Sequence, residues 1–125
     1  IAETHPDIWC SVGVHPHHAK DFTGLMAETL IAEAAHPKVV AIGETGLDFH
    51  YGYSAEADQV RSVREHIRAA RETRLPLILH TREADSLMAD ILEDEYAKGA
   101  FRPLLHCYTG GEELCRRALA LGSYV

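Results

Sequence analysis

The sequence predicts an α/β domain of about four strand–helix units with parallel strands, and two observations carry that prediction. First, short apolar runs, continuous rather than alternating, take turns with stretches whose apolar residues recur at helical spacing. Second, the runs end alike: residues 39–42 (Val-Val-Ala-Ile) lead into Glu44, residues 77–79 (Leu-Ile-Leu) into His80, and residues 103–105 (Pro-Leu-Leu) into His106. Parallel strands put their C-terminal ends on one rim. His15, Glu44, His80 and His106, each read as one or two residues past a strand, should therefore converge where barrels and open α/β sheets place their chemistry. An eight-stranded barrel takes about 250 residues, so a chain of 125 amounts to about half of one.

Taken in order, residues 1–7 read as the tail of a helix or a linker, with a turn at His5-Pro6-Asp7. Residues 8–14 form the first strand, which stops at His15-Pro16-His17-His18 because proline cannot donate to a sheet ladder. Leu25, Met26, Leu30 and Ala34 mark a helix that ends at His36-Pro37. The second strand covers residues 39–42, and a long loop rich in glycine and aromatics runs from there to Ser54. Val60, Val63, Ile67 and Ala70 form the stripe of the next helix, with Arg61–Glu65 and Arg68–Glu72 as i,i+4 pairs on its solvent side. Pro76 opens the third strand, residues 77–79, and Ala84, Leu87, Met88, Ile91 and Leu92 form the face of the helix after it. Past Lys98-Gly99 comes the fourth strand, at 103–105. Thr109 and Glu112 have capping-box spacing for a last helix ending at Gly122, and residues 123–125 open a fifth strand.

Composition narrows the class. A net charge of −7 argues against broad coating of DNA, which needs a basic face, yet leaves a nuclease open because divalent cations can supply the positive charge a phosphate requires. Hydrophobic residues at 46% and charged residues at 25% exclude disordered and fibrous classes. No apolar run approaches the roughly 20 residues of a membrane span, and the N-terminus carries no basic patch or apolar core of a signal peptide. The chain begins at Ile1 without an initiator Met, which suggests a start part-way through a longer protein. Cys10, Cys107 and Cys115 follow no zinc-finger spacing and suit a reducing cytoplasm, the expected location.

Glu44, His80 and His106 are the candidate metal ligands. Imidazole with carboxylate suits Zn²⁺ or Mn²⁺, or Mg²⁺ where carboxylate and water dominate, and a glutamate can bridge two cations that clamp phosphoryl oxygens. His15 and His17, separated by a proline on a loop, are read as substrate-rim residues in preference to ligands, and His18 as exposed. Arg82, placed at the start of the following helix, either contacts a phosphate or pairs with Glu83 or Asp85. Asp48 either orients a ligand or caps the loop. Tyr51 and Phe49 could stack a base, though packing within the loop is favoured. His5, His36, His50 and His66 are assigned to surface or turns, and Cys107 to packing.

Four motifs, in order and spacing, resemble the TatD family of metal-dependent deoxyribonucleases along essentially the whole chain: Gly13-Val14-His15-Pro16-His17, Ile42-Gly43-Glu44-Thr45-Gly46-Leu47-Asp48-Phe49, Leu75-Pro76-Leu77-Ile78-Leu79-His80-Thr81-Arg82 and Leu105-His106-Cys107-Tyr108-Thr109-Gly110. The resemblance implies a TIM-like (β/α) barrel of the metal-dependent hydrolase type with two divalent metals, of which residues 1–125 would be strands two to five and the start of the sixth. It implies hydrolysis of DNA phosphodiesters at substrate ends, typically 3′ to 5′, with roles in DNA repair. Glu44 matches the bridging, catalytic ligand, His80 and His106 match ligands of one metal, and His15 matches a rim histidine. The family's His-x-His pair and its late aspartate have no counterpart here. Rival expectations are an amidohydrolase cleaving C–N or ester bonds and an inactive fragment; oligomeric state is unspecified.

Overall fold

The computed structural model describes residues 1–125 and consists of one four-stranded parallel sheet with helices between its strands. Strands β1 (Cys10–Val12), β2 (Val39–Asp48), β3 (Leu77–Arg82) and β4 (Pro103–Leu105) lie side by side in chain order. Helix α1 (Ala27–Ala34) joins β1 to β2, α2 (Glu56–Thr73) joins β2 to β3, α3 (Asp85–Ala97) joins β3 to β4, and α4 (Glu112–Ala120) follows β4. Beyond β4, Tyr124 bridges in parallel to Leu104, where the fifth strand was expected. This is a partial TIM-like barrel, with strand order equal to chain order.

The core lies between sheet and helices. Ile42, Leu47, Leu77, Leu79 and Leu105 from the strands meet Val63, Ile67 and Ala70 of α2, Met88, Ile91 and Leu92 of α3, and Leu114 of α4. The stripes read from the sequence on α2 and α3 are thus the buried faces. Each fully buried side chain of this size is worth about 2 kcal/mol in transfer free energy.

Several boundaries differ from expectation, for reasons of pairing. β1 is three residues long, and Pro16–Phe22 is a 3₁₀ helix rather than a loop, with the His15 side chain accepting from the His17 N–H at its start. β2 runs ten residues rather than four, because β3 provides backbone partners along Thr45–Leu79, Gly46–His80, Leu47–Thr81 and Asp48–Arg82. Glu44 and His80 therefore stand within strands, and the loop begins only at Phe49. Arg82 is the last residue of β3 and does not start α3; it makes no ion pair with Glu83 or Asp85. The pairs Arg61–Glu65 and Arg68–Glu72 do not form: Arg61 lies 3.6 Å from Asp58, and Arg68 pairs with Glu28 and, at 3.5 Å, Glu65. Nor does Thr109 cap α4. Gly111 takes the N-cap, and its N–H donates to the Asp85 carboxylate at 2.6 Å.

Candidate active site

Glu44 and Asp48 sit four residues apart on one side of β2, with Gly46 between them. That glycine is what admits His80: a Cβ on Gly46, at φ +145°, would stand 1.9 Å from the His80 carbonyl oxygen. A similar closeness brings in His15, since a Cβ on Gly13 would lie 2.7 Å from the Gly43 backbone. Two strand ends, β1 and β3, are thereby drawn against β2 on the same rim.

Glu44 Oε1 lies 3.4 Å from His80 Nδ1, 3.8 Å from His106 Nδ1 and 3.9 Å from His15 Nε2. None of these contacts is a hydrogen bond, and the Glu44 side chain is 32% exposed. A Glu44 oxygen free of hydrogen bonds with the His80 Nδ1 beside it is a carboxylate–imidazole donor pair of the kind that fits a divalent cation. His15, Glu44 and His80 each offer a ligand atom within 4.8 Å of the other two. His106 approaches Glu44 but stands outside that group, and half of its side chain is exposed.

Asp48 organises the imidazoles from behind. It is 1% exposed, and Oδ2 accepts from His80 Nε2 at 2.8 Å and His17 Nε2 at 3.0 Å, while Oδ1 accepts from the His50 N–H at 3.0 Å. Burial works against its charge, but the bonds from His80 and His17, with the N–H groups of His50 and Tyr51, outweigh it and hold the carboxyl at about 2. The geometry combines both readings of Asp48: Oδ2 fixes the His80 and His17 rings, and Oδ1 caps the start of the loop through the His50 N–H. A neutral His80 that donates Nε2–H to Asp48 presents its Nδ1 lone pair toward Glu44, the carboxylate–histidine arrangement that fixes a ligand's tautomer.

His15 has the opposite polarity. Its Nδ1 accepts from the His17 N–H at 3.2 Å, so its neutral form carries the proton on Nε2, facing Glu44. Burial, then repulsion from His80 and His17, lowers its pKa below the ordinary 6.5, which keeps it neutral. His15 thus offers a donor to the site. His17 is held by Asp48 and leans edge-on against Tyr51 and Tyr53. Arg82 lies exposed beside the loop, its guanidinium 5.1 Å from the Tyr51 ring.

Two residues beneath the site escaped the sequence reading. Gln59 of α2, 1% exposed, accepts from the Asp48 N–H at 2.7 Å and donates to the carbonyls of Asp48 at 3.1 Å and Ser54 at 2.9 Å. His66, assigned to surface or turn, is fully buried, and its Nε2 accepts from the Val14 N–H at 2.9 Å. One helix thus ties down the end of β2 and the residue preceding His15. The signal that could have found them is their helical spacing with Val63 and Ile67, which puts both on the side of α2 that faces the core. Phe49 packs against the core, Tyr51 is exposed, and Cys107 is exposed with Sγ 3.7 Å from His106 Nε2 rather than packed.

A parallel α/β sheet that gathers carboxylate and imidazole side chains at its C-terminal rim is the arrangement on which barrel-type α/β proteins build their active sites. The chain belongs to the TatD-related DNase family, whose model matches residues 1–125. It is 37% identical over 127 residues to a "3'-5' ssDNA/RNA exonuclease TatD" of Escherichia fergusonii, and 42% identical over 125 residues to the protein of that name in a Pantoea species. These alignments cover 100% and 98% of this chain and 48% and 47% of the relatives, so the chain spans about half their length. Among solved structures it resembles a TatD homologue of Escherichia coli (TM-score 0.78, 26% identity, 98% of this chain and 47% of that one). It also resembles a TatD family hydrolase of Entamoeba histolytica (TM-score 0.74, 27% identity, 92% and 40%). No helix is long and apolar enough to cross a membrane.

Proposed function

We propose that these residues form part of the active site of a metal-dependent nuclease that hydrolyses DNA phosphodiester bonds from 3′ ends. The observation that carries the reading is the unpaired Glu44 oxygen surrounded by His80, His106 and His15 nitrogens, in a chain of a DNase family. Glu44, His80 and His106 would hold the cation. A divalent cation such as Mg²⁺, Mn²⁺ or Zn²⁺ held by these residues would supply water activation and charge neutralisation at the phosphoryl oxygens.

The chain's own side chains do the rest. Asp48 keeps the His80 Nδ1 lone pair turned toward the site and locks the His17 ring. The neutral His15 directs Nε2–H at the space beside Glu44, where it donates to a phosphoryl oxygen. Arg82, unpaired and exposed, binds a neighbouring phosphate. A cytoplasmic setting and a part in DNA repair complete the reading.

The test pairs isothermal titration of Mn²⁺ or Zn²⁺ into the chain and its Glu44→Ala variant with digestion of a labelled oligonucleotide by a protein of full family length carrying these residues. Glu44→Ala should abolish cation binding and lower hydrolysis at least 100-fold. Near-normal metal-dependent cleavage by the variant would sink the assignment, and turnover of amides or lactones with indifference to DNA ends would replace it with amidohydrolase chemistry.

A further inference from the structure

We propose that Tyr51 and Tyr53 form a stacking subsite for an unpaired nucleobase of the strand being cleaved. The inference rests on the nuclease reading and adds to it the feature that selects a splayed, single-stranded end. The two rings lie parallel, 5.2 Å apart and 8° from coplanar, and are 51% and 53% exposed. Each ring therefore keeps about half of its surface open to solvent beside the site. Their exposure is not an effect of a sheet edge, because β2, which feeds the loop, has β1 on one side and β3 on the other.

Position gives the pair its chemistry. His17 stands edge-on to both rings, at 4.8 Å from Tyr53 and 5.7 Å from Tyr51 between centroids, and its own ring is 4.4 Å from that of His15. The stacked rings are thus one imidazole away from the Glu44 cluster, much as a base stands one sugar away from its phosphate. The Arg82 guanidinium, which has no carboxylate partner, lies over the Tyr51 ring at 5.1 Å, so with Tyr53 stacked on Tyr51 the base is taken on the outer face of Tyr53. A base on the tyrosines and a phosphate at Arg82 are the two halves of one nucleotide.

The loop is also held in place before any ligand arrives. Asp48 accepts the His50 N–H at its start. At its end, the Ser54 hydroxyl donates to the His17 carbonyl at 3.0 Å, and the Ser54 carbonyl accepts from Gln59. Pre-ordered rings spare the binding step the entropy of immobilising them. Stacking tolerates any base, since each has a π face, but it needs a base free of its pairing partner.

The experiment uses the chain with two single-stranded oligonucleotides, one ending in 2-aminopurine and one in an abasic residue. Each carries a 5′ fluorophore for anisotropy and a terminal phosphorothioate to slow cleavage. Quenching of 2-aminopurine should accompany binding, and the base-bearing end should bind about tenfold more tightly than the abasic one. Tyr53→Leu should remove both effects, whereas Tyr53→Phe, which keeps the ring, should retain them. Equal binding of the two ends without quenching overturns the stacking subsite and leaves the nuclease reading standing. Failure of both oligonucleotides to bind overturns both readings.

Discussion

Lowering the pH should destabilise the fold through His66, and the structure sets the size of the effect. In its neutral form Nδ1–H donates to the Ser62 carbonyl at 2.7 Å and Nε2 accepts from the Val14 N–H at 2.9 Å. A second proton would turn the acceptor into a donor facing another donor, inside a fully buried site. Burial accordingly holds the pKa down to about 4 from the ordinary 6.5, opposed by the Ser62 carbonyl. Because the unfolded chain takes up the proton first, the stability contributed by His66 is complete above pH 6.5 and is lost as pH falls toward 4. At 1.36 kcal/mol per pH unit the whole loss is about 3 kcal/mol, of which about 2 kcal/mol has gone by pH 5. Urea unfolding of wild type and His66→Gln at several pH values isolates this residue, since other titrations cancel in the difference. The wild-type advantage should shrink by about 2 kcal/mol between pH 7.5 and pH 5. A difference that stays constant to within about 0.5 kcal/mol would refute the buried neutral imidazole.

Three further outcomes probe the site. Gln59→Leu leaves the Asp48 N–H and the carbonyls of Asp48 and Ser54 without partners, and should lower the unfolding free energy by about 3 kcal/mol in urea titrations; a loss below about 1 kcal/mol would mean the clamp is not tight. Asp48→Asn replaces an acceptor shared by His80 and His17 with an amide, and should weaken Mn²⁺ or Zn²⁺ binding about 10- to 100-fold by calorimetry; unchanged affinity would remove Asp48 from the site's construction. Gly46→Ala drives a methyl into the His80 carbonyl and forces β2 and β3 apart, which should cost about 3 kcal/mol or more and show as a large drop in Tm. A normally stable Gly46→Ala protein would contradict the close pairing of Gly46 with His80.

The sequence by itself determined the alternation of strands and helices, the buried stripes of α2 and α3, and the candidate ligands at strand ends. All of these follow from short continuous apolar runs, from the 3.6-residue periodicity of the helices and from the rule that parallel strands share one rim. It also carried the four motifs that mark the family. Only the tertiary structure decided where β2 ends, because residues 44–48 read as a loop until β3 supplies their hydrogen-bond partners. The same holds for the arrangement around Glu44. Which nitrogen of His15 or His80 faces the site depends on the His17 N–H and on Asp48, contacts set by a turn and by strand register. Gln59 and His66 make the limit plainest: Gln59 carries no reading in the sequence and His66 reads as surface or turn, because the partners that bury them lie 11 and 52 residues away. A polar group's role is set by what it is buried against, and that is settled only when distant segments pack.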